Sequence, residues 1–198
     1  SVAIDYGHTG DGVTRSGTYG NYAYTCYRDN DSTNFRRVAY SFTDNNYTIN
    51  QTVRTIDSQS ATAGDPLTAI FDGSRFIMAF IDDDGDTLPK VYQRDYADLT
   101  TTSLPVSGSI PALSDGAITS LSLAVLDGGT SGDFRLFAVG TTSDDVKYTD
   151  YDRSADTFSA WTSVATTTAT ANALSAQRGS YNSGVSLVWT SGSGSPYD

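Results

Sequence analysis

One pattern recurs along this chain and restricts its fold more than any other feature. A short, strongly apolar run is followed by a polar turn and then by a strand centred on tyrosine. The apolar runs are Tyr22–Tyr27, Phe76–Ile81, Leu136–Val139 and Val185–Trp189. The turns are Arg28–Asn34, Asp82–Thr87, Thr141–Asp145 and Ser191–Ser195, and the tyrosines are Tyr40, Tyr92, Tyr148 and Tyr197, about 50 residues apart. A period of that length marks an architecture built from repeated supersecondary units, each needing a neighbour to bury its apolar face.

The first strand of each pair is apolar on both sides. Phe76, Met78 and Phe80 alternate with Ile77, Ala79 and Ile81, the pattern of a strand held between two layers. The Tyr-centred strand alternates, with Val146 and Tyr148 against Lys147 and Thr149, so one face meets solvent. Another short apolar run precedes three of the pairs: Leu67–Phe71, Leu121–Leu126 and Leu174–Gln177. A Thr-rich strand follows three of them, over Tyr47–Thr55, Leu99–Val106 or Phe158–Val164. Each unit therefore reads as four short strands that become more polar outward, as a β-propeller blade requires. A two-sheet sandwich also gives many short strands, but not this period.

The expected fold is all-β, a single β-propeller-like domain of about four blades. The units cover approximately 12–56, 65–107, 119–166 and 172–198 with 1–8. The fourth unit stops at Tyr197–Asp198, and Val2–Tyr6 belongs to no unit of its own. That run is suited to complete the last blade and remove an open edge; the alternative is a chain cut from a longer array. The chain begins at Ser1 and its only Met is Met78, which fits either a processed chain or a piece of a longer one.

The third unit is the most specific. Arg135–Gly140, a turn, Val146–Tyr148 and then Phe158-Ser-Ala-Trp161-Thr-Ser-Val164 resemble blades of bacterial and fungal propeller lectins. The resemblance covers this unit well, two others in part and the last as a stub. It implies a propeller fold and sugar binding. In the fucose-binding members, repeated Trp, Arg and Glu line pockets between blades; here Trp occurs only at Trp161 and Trp189, and there is no Glu.

All 23 acidic residues are Asp, against 12 Lys and Arg, for a formal net charge of −11. That balance argues against nucleic-acid or anionic-membrane partners, which need a basic surface. No apolar run is long enough for membrane insertion as a helix. His8 is the only histidine, so a His cluster for metal or base catalysis cannot form within one chain. A glycosidase would need an all-Asp carboxylate pair. No nucleophile elbow, P-loop or dinucleotide fingerprint is present, and the chain reads as non-enzymatic. Cys26 stands alone between Tyr24 and Tyr27, as a buried strand thiol does.

Three groups of residues could carry function. Asp82, Asp84 and Asp86 alternate around Gly85 in one hairpin loop; hard oxygens so spaced suit Ca2+, and they equally suit a solvated turn. Thirteen tyrosines and two tryptophans are many for so polar a chain, and aromatic faces with a polar rim are common at binding surfaces. Trp161, Trp189, Tyr92 and Tyr148, with Arg94 or Arg178, are the candidate sugar-binding residues, unless they pack between blades. Asn30, Asn46 and Asn50 each begin an N-x-S/T sequon and are glycosylation candidates in a secreted chain.

The reading that joins these is an extracellular, secreted or cell-surface, recognition or adhesion module whose partner is a glycan or glycoprotein surface. A structural glycosylated subunit that self-assembles into an extracellular fibre or surface layer is the second reading. An Asp-dependent glycoside hydrolase is the third.

Overall fold

A computed structural model of the chain describes residues 15–19, 22–30, 36–43, 54–57, 66–71, 75–81, 87–95, 104–105, 109–126, 132–142, 145–166, 173–178 and 184–190. All regular structure among them is β, and no helix is present among the described residues. The strands form three antiparallel meanders and a hairpin.

The first meander runs β1 (Arg15–Tyr19), β2 (Tyr22–Asn30), β3 (Arg36–Thr43) and β4 (Arg54–Asp57), in that spatial order. The second runs β5 (Leu67–Phe71), β6 (Arg75–Phe80), β7 (Lys90–Asp95) and β8 (Leu104–Pro105). In the third, β9 (Ile118–Val125), β10 (Phe134–Gly140) and β11 (Asp145–Asp152) are followed by β12 (Thr157–Phe158) and β13 (Thr162–Thr166), both paired to β11. The hairpin is β14 (Ala173–Arg178) with β15 (Val185–Thr190). Strand order that follows chain order within each sheet is the blade-like arrangement, with each connection a local turn. The chain divides into two compact units. One contains Ser1–Asp84 and Lys90–Val106, the other Gly85–Pro89 and Ser107–Asp198.

The apolar-on-both-faces runs take the second position of each sheet. Leu136, Phe137, Ala138 and Val139 on β10 are all buried, as are Ile77 to Phe80 on β6. The Tyr-centred run is the third strand: Cys26 on β2 faces Tyr40 on β3, Met78 faces Tyr92, and Phe137 faces Tyr148. One side of the third sheet is closed by aromatics. Phe134 stacks on Tyr151 with ring centroids 4.8 Å apart, and Phe158 caps Tyr151 at 4.9 Å, contacts worth about 0.5–1.5 kcal/mol each beyond the area they bury.

The outer strand of this sheet departs from expectation. The run Phe158–Val164 is not continuous: Ser159 to Trp161 leave the ladder between β12 and β13. The cause is local. The Trp161 indole Nε1–H donates to the Pro111 carbonyl at 2.6 Å, and the Ser159 carbonyl accepts the buried Thr149 hydroxyl at 2.7 Å. Ser159 stays satisfied at the break, its N–H donating to the Asp150 carbonyl at 2.8 Å and its carbonyl accepting the Thr149 hydroxyl.

Candidate functional site

The site is built on one face of the third sheet, where the β14–β15 hairpin packs. Side chains two apart on a strand share a face, which puts Arg135, Phe137 and Val139 of β10 with Val146, Tyr148 and Asp150 of β11. Ala124, Phe137, Val139 and Val146 form a buried patch with Leu174 of β14. Tyr148, Ala176, Val185, Leu187 and Trp189 pack against it, each partly exposed.

The hairpin is held by side chains rather than by a strand ladder. Ser120 and Ser122 are buried on β9, and their hydroxyl oxygens accept the backbone N–H of Leu174 at 3.1 Å and of Ala176 at 2.8 Å. Each two-residue step along β9 thus matches a two-residue step along β14. The next step brings the backbone of Arg178 to the level of Ala124, which lies opposite Arg135, itself opposite Asp150. Three rows result. Trp189 faces Leu174 beside Ser120 and Val139; Leu187 faces Ala176 beside Ser122, Phe137 and Tyr148; Val185 faces Arg178 at the level of Arg135 and Asp150.

The last row carries the charge. Arg135 Nε–H donates to Asp150 Oδ1 at 2.6 Å and Nη2 to Oδ2 at 2.8 Å, a bidentate pair. The guanidinium carbon lies 3.8 Å from the Tyr148 ring centroid, a cation–π placement. The hydrogen bonds that Arg135 donates to Asp150 raise its pKa further against the opposing cost of burial. The arginine is thus fixed on two sides, by a carboxylate along one edge and an aromatic ring under one face. A planar donor group held beside Tyr148 is a preformed polar anchor at the edge of an otherwise largely apolar face.

The sequence candidates divide by position. Tyr148 and Trp189 come together around the same patch, and the strand position of Arg178 falls in the same row as Arg135. Trp161 is half-buried elsewhere on the sheet, tied to Pro111. Tyr92 is 2% exposed and belongs to the core of the second sheet. Arg94 is a strand position of β7 opposite Phe76. Asn30 ends β2, opposite Arg36. Asp82, Asp84, Asp86, Asn46 and Asn50 lie outside the described residues, as does Val2–Tyr6. Arg135 and Asp150 are absent from the sequence-based candidates. Their signal was the β10–β11 register: with Phe137 set opposite Tyr148, Arg135 must face Asp150.

No family model matches the chain, and no curated protein matches it. Among solved structures, it is similar to a triple Arg→Ala mutant of AofleA from Arthrobotrys oligospora, with a TM-score of 0.63 and 8% identity over 91% of this chain and 50% of that one. It also matches the catalytic domain of an alpha-L-arabinofuranosidase from Coprinopsis cinerea, with TM-score 0.48 and 16% identity over 81% and 52% of the two chains. A third match is the beta-propeller domain of the Trilobed protease from Pyrococcus furiosus, with TM-score 0.41 and 10% identity over 77% and 43%. The likeness to AofleA is one of fold. The chain spans about half the length of AofleA and of the arabinofuranosidase chain.

Proposed function

We propose that this chain is a non-enzymatic, propeller-like recognition module that binds carbohydrate outside the cell. In this reading four units of about 50 residues make the fold, and Val2–Tyr6 completes the fourth. The observation that carries it is the Arg135–Asp150–Tyr148 group at one margin of an apolar patch that Trp189 also borders. A sugar ring has apolar C–H faces and a rim of hydroxyls, so it is matched by an aromatic surface flanked by fixed donors and acceptors. Hydrolysis fits less well. A glycosidase acid needs its pKa raised, whereas Asp152, near this group, is shifted downward by the hydrogen bonds of its turn.

The test is a glycan array probed with the full chain and with Trp189→Ala. The array includes xylose, mannose and galactose, each as monosaccharide and trisaccharide. Saturable binding that weakens about tenfold or more in the variant supports the reading. An array blank for the wild-type chain would sink it.

One observation favours the assembly reading as the second choice. Val188 on β15 is 68% exposed, and β15 pairs with β14 alone among the described residues. An apolar side chain on such a strand suits addition of a strand from another chain.

A further inference from the structure

We draw no further inference here: the strongest candidate, the acidic side-chain cluster of Asp133, Asp150 and Asp152 in the cleft at the end of the third sheet, has no second observation beside it that points to a ligand.

Discussion

Arg135 does two things at once: it neutralises Asp150 and covers Tyr148. Its side chain is 26% exposed and that of Asp150 is 33% exposed, so water screens much of the attraction. Asp150→Asn should therefore cost only about 1 kcal/mol of stability, read as a shift in urea midpoint. Sugar affinity should fall far more, because the guanidinium loses the partner that aims it; an unchanged affinity would remove Arg135 from the site. Asp152 offers a separate check. Donation from the Ser154 hydroxyl, and then from the Ala155 N–H, holds its carboxyl below the usual range. A carboxylate with a depressed folded pKa stabilises the fold above its unfolded value, and the contribution is lost as pH falls through the folded one. The Ser154 and Ala155 amide signals are thus expected to hold steady through the ordinary carboxylate range and to move only at lower pH. Movement centred in the ordinary range would contradict the turn geometry.

Elements are joined here by small side chains. Ser120 and Ser122 satisfy two N–H groups of β14 from a strand with which β14 shares no ladder. Ser122→Ala leaves the Ala176 N–H without its acceptor and should cost about 1–3 kcal/mol; a loss well below that would mean that water reaches the joint. Gly140 marks another tight meeting, since a Cβ there would collide with the Asp115 carbonyl. Gly140→Ala should be among the most destabilising single changes in the third sheet, measured by thermal melting. Much of this level was legible in the sequence. The doubly apolar runs had to be interior strands, and the Tyr-centred runs had to pair with them, because no other arrangement buries both faces. The break in the outer strand was not legible. Ser159 to Trp161 read as part of a polar, Thr-rich strand over Phe158–Val164, and only the carbonyl of Pro111, 50 residues away in sequence, holds the indole off the ladder. The site was half legible. Tyr148 and Trp189 stood out as aromatics, whereas Arg135 and Asp150 gain meaning only once the register sets them face to face.

For the whole molecule, the all-β fold built of successive meanders agrees with the likeness to AofleA. A recognition module should behave as a discrete particle: light scattering is expected to give one species near 21.1 kDa, and ligand-independent polymer would favour the assembly reading instead. The most direct test of sugar recognition uses the scarcity of tryptophan. The chain has two, Trp161 and Trp189, and Trp161 is tied to Pro111 away from the proposed face. In Trp161→Phe, all indole emission comes from Trp189. Titrating that variant with xylotriose, mannotriose and galactotriose should give a saturable change in Trp189 fluorescence for at least one of them. An emission spectrum unmoved by any of the three, from a chain whose array shows bound sugar, would place recognition elsewhere and contradict the account.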